Sequence, residues 1–452
     1  MSKDKVPTGK IARASRFLRT GAKVGRNYAK HYSKKLVGQE VEQNDLDKAN
    51  AEDIFDGFSQ LRGSALKVAQ MLSMDSINFS ESFTNVMQKA QYSVPPMSAP
   101  LAVQAFKKSI GKNPSEVFDK FNSEALKAAS MGQVHEAWKD GEKLAIKIQY
   151  PGVGDSIRSD MKMVKKAASR VMHVPVAEIA PYFQEIEDRL MEEADYEHEL
   201  KASMEFAEAA KDIQGIVFPK YYPEYSSDRV LTMQWIEGKH LKDYMATDPS
   251  LEERTKMAYR IWDFYEYQIH VLRKVNADPH PGNFLFRDDD TVGVLDFGCT
   301  KELTDELYRD YFKLAEPGLF QDKERAEQAL IDNNIIREDD PRERRDYLID
   351  LFGRLITLIT QPYHDGEFDF SDDSYYHKVT EISKEISKLG EMRGNKDFLF
   401  LNKTYYGLYS LFSTLGVKLT TASVYRDFLR PEKKGKVEIR PKPVDVEVEI
   451  PE

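Results

Sequence analysis

A single lysine in the middle of an apolar strand constrains this chain more than any other residue. From Leu144 to Tyr150, the residues Leu144, Ile146, Ile148 and Tyr150 alternate to one face, with Ala145, Lys147 and Gln149 on the other. Asp140-Gly141 just before this run is a hairpin signal, pairing it with Gln133 to Lys139. Placing an ammonium in such a sheet costs free energy unless anions surround it. Lysines often edge a solvated strand, so Lys147 takes its meaning from what else the chain brings to it.

Two later segments supply that context. Asp278-Pro279-His280-Pro281-Gly282-Asn283 holds an acid and an amide five positions apart. Two prolines and a glycine keep the segment out of helix, so both side chains can point into one cleft. Asp296-Phe297-Gly298 follows the apolar strand Val292 to Leu295. A carboxylate at the end of a buried strand suits a Mg²⁺ ion that bridges nucleotide phosphates. Each motif alone has a bland reading, a chance acid–amide pair or a turn cap. The order Lys, Asp-x4-Asn, Asp-Phe-Gly decides between them, because it is that of a kinase-like site. In such a site the lysine binds phosphates and is held by a helix glutamate. His280 is read as structural within its loop, and Cys299 as a small core residue rather than a reactive thiol.

With these motifs on the page, the sequence resembles the UbiB/ADCK (AarF) family over about residues 10–430. Ala128-Ala129-Ser130-Met131-Gly132-Gln133-Val134-His135 is similar to that family's alanine-rich nucleotide loop, and Ala145 to Val153 to its lysine strand. Glu193-Ala194-Asp195 resembles its Glu-x-Asp motif, with Glu199 following on the same helix. Lys67-Val68-Ala69-Gln70 resembles its Lys-x-Gly-Gln signature, and Asn276 to Asn283 its extended catalytic loop. Two positions depart from the pattern: Ala69 replaces the signature glycine, and Asn276 stands where the family usually has histidine.

The resemblance implies an α+β, protein-kinase-like bilobal fold. It has a small β-rich N-lobe, a helical C-lobe and an N-terminal helical extension over the substrate cleft. It implies ATP or ADP bound with Mg²⁺, the nucleotide lying against Ala128, Ala129, Ser130, Met131, Gly132 and Val134. Gln234, Trp235 and Ile236 then form the adenine hinge. Lys147 contacts phosphates and pairs with Glu199, while Glu193 and Asp195 meet Lys67 beside Gln70. Asn283 and Asp296 hold the metal, and Asp278 orients a hydroxyl or water. Alanines allow fewer backbone conformations than glycines, so the loop should fit a narrower set of nucleotide geometries.

Charge adds a second theme. The chain's net charge is −10, yet residues 1–36 hold eleven Lys or Arg and one acid, Asp4. A basic arm on an acidic body points to an anionic membrane surface as its partner and away from nucleic acid. Arg16, Arg19, Lys23, Arg26 and Lys30 recur at helical steps, which fits an interfacial helix; a solvated helix packed on its own domain, a disordered arm or a transit peptide fits as well. A second amphipathic helix is expected over Ala51 to Ser73, and another over Ala102 to Lys120. Pro181 is expected to open a long helix reaching Lys211, and Val230 to Trp235 to form a buried strand. The chain should be mostly helical after Gly238. Expected units are 1–45 (basic arm), 46–120 (helical extension), 121–236 (N-lobe), 237–430 (C-lobe) and 431–452 (extended tail).

The one cysteine excludes an internal disulfide and fits a reducing compartment. The longest apolar run, Tyr405 to Val417, is too short to cross a bilayer, and no secretory signal is evident. A cytoplasmic or organellar-matrix protein with peripheral membrane contact is expected. Its expected work is that of an ATPase or a small-molecule or lipid kinase supporting isoprenoid quinone biosynthesis or membrane lipid homeostasis. Phenolic or isoprenoid lipids and quinone-biosynthesis enzymes are its expected partners. A nucleotide-gated scaffold and a conventional protein kinase are the rival readings, the latter weakened by the lack of an Ala-Pro-Glu segment.

Overall fold

The structure is a computed structural model. It describes residues 96–421, apart from 129, 130, 173, 174, 364, 365, 390, 392 and 396, with scattered positions between 15 and 56. Arg16, Lys67, Ala69, Gln70, Ala129, Ser130 and the tail from 431 therefore lie outside the described residues.

The first element is α1 (Ala99–Ile110), which buries Ala102 and Phe106. The helix expected to run to Lys120 stops here, because Gly111 takes φ 83° and its N–H caps the Lys107 carbonyl. One helical turn, α2 (Pro114–Val117), leads into β1 (Lys120–Phe121) and β2 (Lys127–Ala128). The hairpin follows as β3 (Gly132–Lys139) and β4 (Glu142–Gln149), with Asp140 and Gly141 both at positive φ in its turn. Two helices, α3 (Val153–Met172) and α4 (Val176–Glu193), pack against each other before α5 (Tyr196–Ala209). Pro181 does not open the helix: it is the sixth residue of α4, past the first turn, where it has no N–H to donate to the Ala177 carbonyl. The single helix expected to reach Lys211 ends with α5 at Ala209 and is broken at Ala194. There Asp195 caps α5 by accepting the N–H groups of Glu197 and His198.

After β5 (Ile216–Val217) comes β6 (Val230–Gln234), which completes an antiparallel sheet in the order β1-β3-β4-β6, with β2 also on β3. In register, Lys147 of β4 faces Val134 of β3 and Leu231 of β6. The side of the sheet bearing Leu144, Ile146 and Ile148 is buried against α1, α3 and α4 in one core.

The second lobe is mostly helical. It contains α6 (Leu241–Met245), α7 (Leu251–Tyr267, continued by a wider turn over Gln268–Leu272), β7 (Lys274–Asn276), β8 (Phe284–Phe286), β9 (Val292–Val294) and β10 (Thr300–Glu302). Then follow α8 (Asp305–Lys313), α9 (Lys323–Asp332), α10 (Arg342–Ile359), β11 (Phe368–Asp369), α11 (Asp373–Ser387), α12 (Phe398–Leu415) and β12 (Lys418–Leu419). Its core is aromatic, with Trp262 against Tyr363, Tyr405 and Phe412. The apolar run from Tyr405 begins within α12, where Tyr405, Leu408, Tyr409, Leu411 and Phe412 are buried. No helix among the described residues is long and apolar enough to cross a membrane.

Near the N-terminus the described positions are helical, with Arg19, Arg26 and Lys30 exposed. Lys23 pairs with Asp53 at 3.2 Å, and Asn27 donates to the same carboxylate at 2.8 Å. Phe55, close by, packs on the sheet-lobe core. Part of the basic arm is thus spent on an internal contact.

Candidate functional site

Two short ladders build the site. β8 pairs with β9 (Phe284 opposite Val294), and β7 pairs with β10 (Asn276 opposite Thr300). The loop after β7 carries Asp278 to Asn283, and the loop after β9 carries Asp296 to Gly298. A ladder therefore pins each pair of loop ends and sets the two loops side by side. Asn276 ties them further. Its Nδ2 donates to the Asp296 backbone carbonyl at 2.6 Å, and its Oδ1 accepts the Asp278 N–H at 3.2 Å. Its own N–H goes to Gln268 Oε1 at 2.8 Å, so this buried amide is held at both ends. Sequence reading flagged Asn276 as a departure without finding this brace, because both partners are reached only after the loops fold.

Lys147 reaches the metal loop from above. Its Nζ lies 2.8 Å from both Glu199 oxygens and 3.2 Å from Asp296 Oδ2, over the ring of Tyr196 at 4.8 Å. Burial alone would lower its pKa, but the Asp296 and Glu199 carboxylates outweigh that and hold it well above the ordinary lysine range. Glu199 is fully buried, and burial, with Asp296 adding, pushes its carboxyl up to about 8 against the pull of Lys147.

The position of α5 explains why Glu199 is there. Phe297 of the Asp-Phe-Gly loop is buried and stacks on Phe206, two turns along the same helix, at 4.7 Å. Gly298 leaves the needed room, since a Cβ there would sit 3.2 Å from Asp296 Oδ1 and 3.4 Å from Glu199 Oε2. Gly132 does the same above Lys147. A Cβ on it would come within 2.5 Å of the Ile148 carbonyl and 2.8 Å of the Tyr196 hydroxyl.

The remaining expected residues divide into two groups. Ala128, Met131, Gly132 and Val134 line β2, β3 and the turn between them, with Met131 buried and its carbonyl accepting the Tyr150 N–H. Gln234, Trp235 and Ile236 leave β6. There the Trp235 N–H bonds the Lys143 carbonyl, and the Lys143 ammonium covers the indole at 3.8 Å. Glu193 ends α4 and Asp195 caps α5, while their expected partner Lys67 is outside the described residues. Lys127, not singled out from sequence, sets its Nζ 3.1 Å from His240 Nε2 beside the catalytic loop, and burial lowers its pKa.

Oxygen donors of this kind fit a small hard cation bridging phosphates. Among the described residues no cluster of three His, Cys, Asp or Glu could hold a metal alone, and Mg²⁺ sites on nucleotides need only one or two protein oxygens. Asn283 donates its amide to the Asp278 carbonyl at 2.9 Å, which leaves Oδ1 for a cation. Asp296 Oδ1 is oriented by the Gly298 N–H at 2.8 Å. His280 turns its Nδ1 inward to accept the Gly282 N–H at 3.0 Å.

Cys299 is buried, and burial pushes its thiol up to about 11. Its reaction with iodoacetamide at pH 8 should therefore be about 100-fold slower in the folded protein than in urea, from thiolate fraction alone. Alkylation at equal rates in both states would mean that the thiol is accessible and ordinary.

Comparisons with known proteins bear on the family and the fold. The ABC1 atypical kinase-like domain matches residues 89–330. Atypical kinase COQ8, mitochondrial, of Saccharomyces cerevisiae is 25% identical over 93% of this chain and 85% of its own length. AarF domain-containing kinase 1 of Drosophila melanogaster is 30% identical over 64% of this chain and 57% of its own. Among solved structures, the Rv3197–erythromycin complex from Mycobacterium tuberculosis aligns with a TM-score of 0.59 at 21% identity, over 86% of this chain and 98% of that one. That likeness concerns the fold, which is α+β and kinase-like. With its lysine strand, its two pinned loops and this match to more than half its length, the chain belongs to the ABC1 atypical kinase-like family.

Proposed function

We propose that this protein binds ATP or ADP with Mg²⁺ and transfers the γ-phosphoryl group of ATP to water or to a small phenolic or isoprenoid lipid at a membrane surface, releasing ADP. The observation that carries the reading is Lys147 bridging Glu199 and Asp296, with Asn276 bracing the loops of Asp278 and Asp296. Lys147 and the alanine-rich loop would hold the phosphates, and Asn283 and Asp296 the metal. Bound Mg²⁺ would supply charge neutralisation for phosphoryl transfer. Asp278 would orient the attacking hydroxyl or water and accept its proton. Positioning and electrostatics do most of the work in such chemistry, which matches a site whose polar groups are already fixed.

Support of isoprenoid quinone biosynthesis, alone or alongside quinone-biosynthesis enzymes, is the role that the family resemblance favours. The exposed Arg19, Arg26 and Lys30 favour contact with anionic lipid. The experiment is Mg·ATP hydrolysis by the full chain, with and without vesicles containing anionic phospholipid, beside a 1–36 deletion. Turnover that rises several-fold with vesicles, and loses only that rise in the deletion, is the expected result. Nucleotide binding without turnover under any condition would instead support a nucleotide-gated scaffold.

A further inference from the structure

From Asp278 to Asn283 the catalytic loop contains no lysine or arginine. The His280 Nδ1 accepts the Gly282 N–H. Among the described residues, a cation reaches Asp278 from α12, far along the chain. Lys403 Nζ lies 3.6 Å from Asp278 Oδ1, with the lysine side chain 11% and the aspartate 19% exposed. We propose that Lys403 is a positioning residue of the phosphoryl-transfer site. It fixes the direction of the Asp278 carboxylate and balances its charge when phosphates enter a cleft that already holds Asp278 and Asp296. The proposal rests on the nucleotide-site reading above.

The seating of α12 is what brings Lys403 to that carboxylate. Gly407, one turn beyond Lys403 on the same face, lies against the catalytic loop, and a Cβ there would come 2.4 Å from Pro279 Cγ. A proline ring cannot swing aside as a flexible side chain can, so only glycine allows the helix this close. One turn before Lys403, Phe400 is buried with Ala277 and Cys299, which flank the two loops. The Arg189 guanidinium of α4 lies over the Phe400 ring at 4.8 Å, while Arg189 Nη1 donates to the Thr300 carbonyl at 2.9 Å. At the start of α12, Lys301 holds Asp397 at 2.8 Å. Contacts on both sides of Lys403 thus fix the helix against the catalytic and metal loops. A shielded ion pair of this kind couples its partners far more strongly than one in bulk water.

A purely structural alternative is that Lys403 only staples α12 to the loop, and the test must separate the two. We would compare the full chain with Lys403→Met, Lys403→Ala, Lys403→Arg and Gly407→Ala. The measurements are kcat, KM for Mg·ATP, affinity for fluorescent ADP, and the extra affinity that Mg·ADP gains when aluminium fluoride mimics the transferred phosphoryl group. Lys403→Met is expected to lower kcat about tenfold or more while ADP affinity stays within about threefold, and Lys403→Arg to keep most of the rate. Ethylammonium should restore part of the rate lost in Lys403→Ala, whose truncation leaves room for it, and Gly407→Ala should lose kcat as Lys403→Met does.

Wild-type kcat in Lys403→Met overturns the proposal. So does a loss shared by kcat, ADP affinity and melting temperature that neither arginine nor ethylammonium repairs. If the wild type binds nucleotide without hydrolysing it, the aluminium fluoride measurement decides. An affinity gain in the wild type that Lys403→Met lacks sustains the role of Lys403 and removes the turnover reading alone. No gain in the wild type overturns both.

Discussion

Asp296→Ala is expected to lower Mg²⁺-dependent nucleotide hydrolysis by about 10³-fold, the order lost when one preorganised group that stabilises developing charge is removed. The side chain does two things at once. One oxygen is fixed by the Gly298 N–H at 2.8 Å, and the other meets Lys147 at 3.2 Å. Alanine therefore removes the assigned metal ligand and one of the two anions that keep Lys147 aimed into the cleft. The fold should survive, because Phe297 stays stacked on Phe206 and Asn276 still binds the backbone carbonyl of residue 296. Steady-state hydrolysis with Mg²⁺ or with EDTA, beside a thermal melt, separates these effects. Turnover within tenfold of wild type in a well-folded Asp296→Ala would remove Asp296 from the metal site.

Much of this site can be traced in the sequence, and the reason is local. The β3–β4 hairpin is written in a two-residue period and an Asp-Gly turn, both of which act over a few residues. The catalytic loop is written in prolines and a glycine that forbid helix. Three-residue strands such as β7 and β10 carry no period at all. They exist because Asn276 and Thr300 come opposite one another, a contact between distant parts of the chain. The break between α4 and α5 escapes a sequence reading because Pro181 is a louder signal than a capping aspartate inside a charged run.

Lys403 gave no signal either. It is the one charged residue in a helix of mostly apolar and aromatic residues, and its meaning lies in Gly407 docking on Pro279. Sequence pattern thus marks the residues whose chemistry is local to a loop or strand. It misses those that the C-terminal helices deliver from a distance.

Glu199→Ala is expected to destabilise the protein by about 3 kcal/mol, the order lost when a buried charged group is left without its hydrogen-bond partner. No part of the Glu199 side chain is exposed, and both of its oxygens take Lys147 Nζ at 2.8 Å. Without it Lys147 keeps Asp296 at 3.2 Å as counterion but loses its bidentate partner in a dry position. The pH dependence gives a sharper test. Burial first, then Asp296, raises the Glu199 pKa from 4.5 to about 8, against the opposing pull of Lys147. Between those values the folded chain therefore retains a proton that the unfolded chain has released. Stability contributed through this group is full below pH 4.5 and is lost as pH rises towards 8. Glu199→Gln keeps the shape and removes the titration, so its stability relative to wild type should improve steadily from pH 5 to pH 8, whatever its absolute deficit. Urea melts of both proteins at several pH values across that range provide the comparison. A constant difference would mean that Glu199 is ionised throughout and that Lys147, rather than burial, governs its charge.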